Sequence, residues 1–145
     1  MSLKQGFTLL ELVIALAVIA IVGATATLAF RPTPRRHLQN ASLQLQADLR
    51  YTQRRAIMEG RRHGIIFDPW QSRYRIMAFN PMEELRVVYL QNGVTLGSST
   101  HNRLTFTPRG TASSGFSILL SSERYSQRLT ATVSGGRIEI FPIVP

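Results

Sequence analysis

The chain has 145 residues, no cysteine, and a formal net charge of +9 carried by sixteen Arg and one Lys. That length allows one small domain beside any anchor, and the missing cysteine excludes disulfides and cysteine metal sites. His37, His63 and His101 lie far apart and read as surface or loop histidines, no His/Asp/Glu spacing resembles a metal site, and no cofactor is expected.

Met1–Gly6 is a short polar segment with one cation, Lys4, too short for a secretory signal peptide. From Phe7 to Phe30 the only charge is Glu11. At 1.5 Å rise per residue this run makes a helix of roughly 36 Å, enough to cross a hydrocarbon core of about 30 Å, so a transmembrane helix is expected over 7–30. A carboxylate in such a helix costs about 2.5–3.5 kcal/mol at the bilayer centre and less near the surface, so Glu11 calls for a cation. A cut between Gly6 and Phe7 would expose an α-amine four residues before Glu11. A cut near Ala24-Thr25-Ala26 would instead release a soluble protein and leave Glu11 unexplained. Gly23, Ala24, Ala26 and Ala29 permit close helix packing in the second half of the span.

Arg31-Pro32-Thr33-Pro34-Arg35-Arg36 predicts a kink or short break. Leu38, Ala41, Leu45, Leu49, Thr52 and Ala56 then recur at spacings of three and four, one stripe of an amphipathic helix from about Leu38 to Glu59, capped by Gly60. Residues 31–62 hold eight Arg against Asp48 and Glu59, a net of +6, so the basic excess sits just beyond the anchor. Arg54-Arg55 and Arg61-Arg62 extend this basic face, which is either plainly solvated or binds anions.

After Gly60 the period changes to two. Strands are expected over 63–67, 73–79, 85–90, 94–96, 103–107, 116–120, 128–133 and 137–141. Asn92-Gly93 reads as a hairpin turn, Gly97 to Asn102 and Ser121 to Gln127 as polar connections, and Gly135-Gly136 as a tight turn. A helix followed by short strands about ten residues apart gives an α+β domain, the helix packed on one or two antiparallel sheets. No nucleophile motif, phosphate loop or catalytic acid pair appears; Glu83-Glu84 reads as a solvated loop pair and Asp68 as a turn former, so the chain reads as a non-enzyme.

Lys4-Gln5-Gly6-Phe7-Thr8-Leu9-Leu10-Glu11-Leu12 resembles the leader and processing site of type IV pilins and type II secretion pseudopilins. The resemblance implies cleavage by a prepilin peptidase between Gly6 and Phe7, N-methylation of Phe7, and pairing of Glu11 with the N-terminal amine of a neighbouring subunit. It implies a leader (1–6), a transmembrane helix (7–30), a stem helix (31–60) and an antiparallel β domain (61–145), the pilin-like α+β fold. Leu104 to Gly110, Phe116 to Leu120, Arg128 to Val133 and Gly136-Arg137-Ile138-Glu139-Ile140, with Arg54-Arg55-Ala56 on the stem, look like the GspH/FimT-like group of minor pseudopilins and minor pilins.

The resemblance also implies a structural subunit of a short type II secretion or type IV pilus-like filament. Its partners would be other pilins or pseudopilins, the peptidase, membrane lipid and an inner-membrane assembly platform. The chain would be single-pass in the inner membrane, with its C-terminal domain on the extracytoplasmic side. Counting Lys4 against Arg31, Arg35 and Arg36 favours the opposite orientation, that of a cytoplasmic-facing adaptor. The alternative function is a FimT-like subunit that binds DNA for uptake, through Arg54, Arg55, Arg61, Arg62, Arg124, Arg128 and Arg137. The DNA-binding members of that group carry Gly-Arg-x-Arg; here the segment is Gly136-Arg137-Ile138-Glu139, with an acid in place of the second arginine.

Overall fold

The computed structural model describes residues 8–29, 33–133 and 137–145. Two compact units divide the chain, Met1–Pro32 and Thr33–Pro145. The leader 1–6, Phe7, Arg31-Pro32 and the Gly135-Gly136 turn lie outside the described residues.

The first unit contains helix α1, Leu9–Ala29. Leu9, Leu10, Val18 and Ile19 stand at about quarter-turn intervals round its axis, and each is more than half exposed. A helix apolar on every side is stable only in apolar surroundings. Among the described residues no helix is long and apolar enough to cross a membrane. Side chains are described there only over Thr8–Ala24, short of the expected 7–30 span.

The second unit opens with helix α2, Pro34–Glu59. Thr33 has extended backbone and its hydroxyl accepts the Arg36 N–H at 3.4 Å, so the expected break falls at Thr33. The helix starts four residues before the expected Leu38, because Pro34 occupies the first helical position, where a proline's fixed φ fits and its missing N–H is not needed. Gly60 (φ 61°) ends the helix in the left-handed conformation. Leu38, Leu45, Leu49 and Ala56 have no exposed surface. Ser42 and Thr52 share the stripe, their hydroxyls bonded back to the Leu38 and Asp48 carbonyls at 2.9 and 2.7 Å.

Two antiparallel four-stranded sheets enclose that stripe. Strands β1 (His63–Asp68), β2 (Arg73–Ala78), β3 (Glu83–Tyr89) and β5 (Arg103–Phe106) form sheet A in the order β3-β2-β1-β5. Strands β4 (Val94–Ser99), β6 (Phe116–Ser122), β7 (Tyr125–Ala131) and β8 (Ile138–Ile140) form sheet B in the order β4-β6-β7-β8. Ile65, Phe67, Tyr74 and Ile76 from sheet A meet Phe116, Ile118, Leu120 and Leu129 from sheet B in one core with the α2 leucines. Gly64 lies where β1 and β5 come closest: a Cβ there would stand 2.4 Å from the Leu104 carbonyl oxygen.

Three local expectations change. Asn92 and Gly93 do turn the chain with positive φ (59° and 73°), but β3 and β4 do not pair; the turn carries the chain from sheet A to sheet B. Turn geometry fixes a reversal, not a partner. β4 buries Val94 and Leu96 beside apolar β6, whereas β3 offers the exposed Glu83, Glu84 and Arg86. The expected polar loop from Gly97 is strand as far as Ser99, with an irregular register between Leu96 and Ser99. Similarly, β6 and β7 take in most of Ser121 to Gln127 and leave a tight turn at Glu123-Arg124, where Glu123 has φ 51°.

A polar clamp pins α2 to sheet A. Asp48, only 6% exposed, accepts from the Tyr74 hydroxyl at 2.6 Å and from the Arg86 guanidinium. The Arg86 guanidinium also lies 5.8 Å from the Tyr51 ring centroid, so it stacks on α2 while it neutralises Asp48. Burial pushes the Tyr74 phenol well above its ordinary range.

Tyr74→Phe should destabilise the domain by about 1.5–3 kcal/mol, the usual worth of a hydrogen bond to a charged group, read as a lower denaturant midpoint at unchanged m-value. The alkaline side follows from sign. The folded state holds the Tyr74 proton that the unfolded chain releases near pH 10, so stability falls as pH rises through that value. That alkaline decline, followed as midpoint against pH, should be shallower in Tyr74→Phe. Gly64→Ala meets backbone rather than a movable side chain and should cost about 1–3 kcal/mol, the usual range for overpacking a tight contact.

Candidate functional site

The start of α1 is built by the spacing Thr8-x-x-Glu11. The Thr8 hydroxyl accepts the Glu11 N–H at 3.2 Å and the Thr8 carbonyl accepts the Leu12 N–H at 3.2 Å, so Thr8 caps the helix and Glu11 is its third residue. The carboxylate therefore sits in the first turn, where the free N–H groups and the helix dipole favour negative charge. Glu11 is exposed and has no cation beside it among the described residues. Gly6 and Phe7 lie outside the described residues. The cap leaves a single residue, Phe7, between a Gly6-Phe7 cut and Thr8.

The seven arginines expected to bind anions do not form one patch. Arg55 pairs with Glu59; Arg61 bridges Glu59 at 2.7 Å and Glu83 at 3.3 Å. Hydrogen bonds from Arg61 and then Arg55 hold the Glu59 carboxyl below its usual range. Arg137 pairs with Glu139 at 2.9 Å, so the acid that replaces the second arginine of the motif also neutralises the first. Arg54, Arg62, Arg124 and Arg128 are exposed and carry no ion pair among the described residues. Arg54 and Arg62 lie at the C-terminal end of α2, Arg128 on the outer face of sheet B, and Arg124 in the β6–β7 turn.

His63 departs from the surface reading. It is fully buried, with Nδ1 3.2 Å from the Arg61 carbonyl and Nε2 3.1 Å from a Glu59 carboxylate oxygen. Its place at the first position of β1, facing the last turn of α2, explains both contacts. Sequence reasoning also missed Asp48, although Leu45, Asp48 and Thr52 follow the same three-and-four spacing as the buried stripe. Among the described residues no group of His, Asp or Glu is arranged to hold a metal ion.

On the outer face of sheet B, Ser117, Leu119, Ser126, Arg128 and Thr130 line an open groove of about 500 Å³ against the C-terminal Phe141–Val144. It contains one charge and no pair of groups placed for general acid–base or nucleophilic chemistry.

Comparison with known proteins addresses the same two regions. The family described as "Type II transport protein GspH" matches residues 41–136, and the "Prokaryotic N-terminal methylation motif" matches residues 1–27. No curated protein sequence matches the chain. Among solved structures, the type IV minor pilin FimU of Pseudomonas aeruginosa (strain PAO1) is similar, with TM-score 0.59 and 23% identity, over 72% of this chain and 93% of that one. The minor pseudopilin EpsH from the type 2 secretion system of Vibrio cholerae is similar with TM-score 0.63 and 14% identity, over 72% and 96% of the two chains. Identities this low establish the fold, and both solved structures share the helix packed on antiparallel sheets. The match across α2 and most of both sheets settles the family: the chain belongs to the GspH family of type II transport proteins.

Proposed function

We propose that the protein is a minor pseudopilin or minor pilin, a structural subunit of a short type II secretion or type IV pilus-like filament rather than an enzyme. The observation that carries this reading is the pairing of a GspH domain over 41–136 with a methylation motif over 1–27. In this reading α1 is part of the 7–30 membrane span, and the GspH domain lies on the extracytoplasmic side of the inner membrane. A prepilin peptidase cuts between Gly6 and Phe7, and Phe7 is methylated. The assembly platform then draws the subunit out of the lipid. The new amine of each subunit carries one positive charge, and Glu11 carries the only negative charge of the apolar run. In hydrocarbon each is costly alone and much less so as a pair. A Glu11 on one subunit therefore selects the axial position at which a neighbour's amine can meet it.

DNA capture is the second reading, favoured by the +9 charge and by Arg50, Arg54, Arg62, Arg124 and Arg128, which hold no acid among the described residues. The Arg137–Glu139 pair speaks against its motif. Binding of duplex DNA that falls steeply with salt would establish it; absence of binding at low salt removes it.

Intact mass of the membrane-extracted protein should lack Met1–Gly6 and carry one added methyl group. An uncut chain would overturn the filament reading. Glu11→Ala should be cleaved normally yet fail to enter filaments, measured as loss of the subunit from the sheared filament fraction. Glu11→Asp should restore incorporation in part. Normal assembly of Glu11→Ala would sink the charge-pairing mechanism.

A further inference from the structure

One end of the domain carries aromatic surface that the filament reading leaves unused. Trp70, the sole tryptophan, is 97% exposed in the turn between β1 and β2. That turn is held firmly. Arg73 Nε donates to Asp68 at 3.3 Å across it, the Ser72 N–H donates to the Pro69 carbonyl, and the Leu90 N–H donates to the Ser72 carbonyl at 2.8 Å. Arg73 also donates to the hydroxyl of Tyr89, whose ring is more than half exposed. An indole displayed on a fixed turn loses little conformational freedom when something covers it.

The same end holds the start of α2. Tyr89 to Asn92 border a cleft with His37, Asn40, Ala41 and Gln44 of the first turns of α2. Val94, just past the Asn92-Gly93 turn, pairs with Ser122, which places the Glu123-Arg124 turn at this end too. Arg35, Arg36 and Arg124 are exposed there and hold no acid among the described residues; Asp68 is engaged by Arg73, and Glu123 is the one exposed acidic side chain on these turns. α2 begins five residues after α1 ends.

We propose that this end of the domain rests on the bilayer, with Trp70 and Tyr89 at the headgroup level and Arg35, Arg36 and Arg124 against lipid phosphates. Tryptophan and tyrosine favour the membrane–water boundary because each ring has an apolar body and a polar edge, and arginines add attraction to anionic lipid. The proposal rests on the reading of 7–30 as a membrane span. It makes the domain a docked body before assembly, which the filament machinery must lift off the lipid surface.

Trp70 reports on its own surroundings, because no second indole contributes. The experiment is the full chain reconstituted into phosphatidylglycerol–phosphatidylcholine vesicles, with tryptophan emission recorded with and without lipids brominated near the headgroup end of the acyl chain. The expected result is a blue-shifted emission that brominated lipid quenches, and a smaller shift in pure phosphatidylcholine. Replacing Arg35, Arg36 and Arg124 together by Gln should reduce the quenching and leave the denaturant midpoint unchanged. Water-like, unquenched emission from protein that survives an alkaline wash of the vesicles overturns the docking and leaves the span intact. Protein stripped by that wash overturns the span, and the docking with it. Emission that is blue only when another pilin subunit is added assigns Trp70 to a protein contact and also overturns the proposal.

Discussion

Leu38, Leu45, Leu49 and Ala56 lose all contact with water because two four-stranded sheets close over one face of α2 together, and the rest of the domain depends on that burial. Residues of both sheets join the stripe in one core, so neither sheet covers it by itself. At about 25 cal/mol per Å² of apolar surface, each fully buried leucine contributes about 1.5–3 kcal/mol. The helix contributes the middle of the core, and Ile65, Tyr74, Ile118 and Leu129 reach it from both sides.

A smooth apolar face would let α2 slide or rotate between the sheets. The Asp48 clamp removes that freedom. A buried carboxylate is tolerable only where its partners stand, so Tyr74 and Arg86 on adjacent strands select one rotation and one height of the helix. The Glu59 cluster does the same at the C-terminal end, with Arg61 and His63 gathering the last turn of α2 onto the first residues of β1. Arginine thus serves two ends in this chain. Arg55, Arg61, Arg73, Arg75, Arg86 and Arg137 are bound to acids, and the basic excess resides in the others.

The elements were legible where local chemistry decides them. The α2 stripe, its Gly60 cap and the run of strands follow from periodicity and turn residues, which act over three or four positions. What escaped was set by distant parts of the chain. Pro34 is the local exception, a helix start rather than a breaker, because the adjacent Thr33 hydroxyl caps the helix and Pro34 fits its first position. Asn92-Gly93 looked like a hairpin and is a crossover, because the partner of β4 is β6, more than twenty residues further on. The partners of Asp48 stayed hidden, since neither Tyr74 nor Arg86 is near it in sequence. At the N-terminus the position is fixed by motif: the Thr8 cap places Glu11 in the first turn of α1. The arginines were legible as a charge and illegible as a surface, because pairing with Glu59, Glu83 and Glu139 depends on the fold.

The crossover at Asn92-Gly93 makes the two sheets interleave along the chain. β4 of sheet B is synthesised before β5, the last strand of sheet A, and β5 before the other three strands of sheet B. A cut between Ser99 and Arg103 would leave each fragment holding strands of both sheets or an incomplete remnant of them, and a complete set of neither. Sheet A has all its strands once Phe106 is made, whereas β4 of sheet B waits with Val94 and Leu96 uncovered until Phe116 to Leu120 arrive. The core therefore closes late in synthesis: a chain interrupted before β6 holds every strand of sheet A and lacks three of the four strands of sheet B that cover the other side of α2.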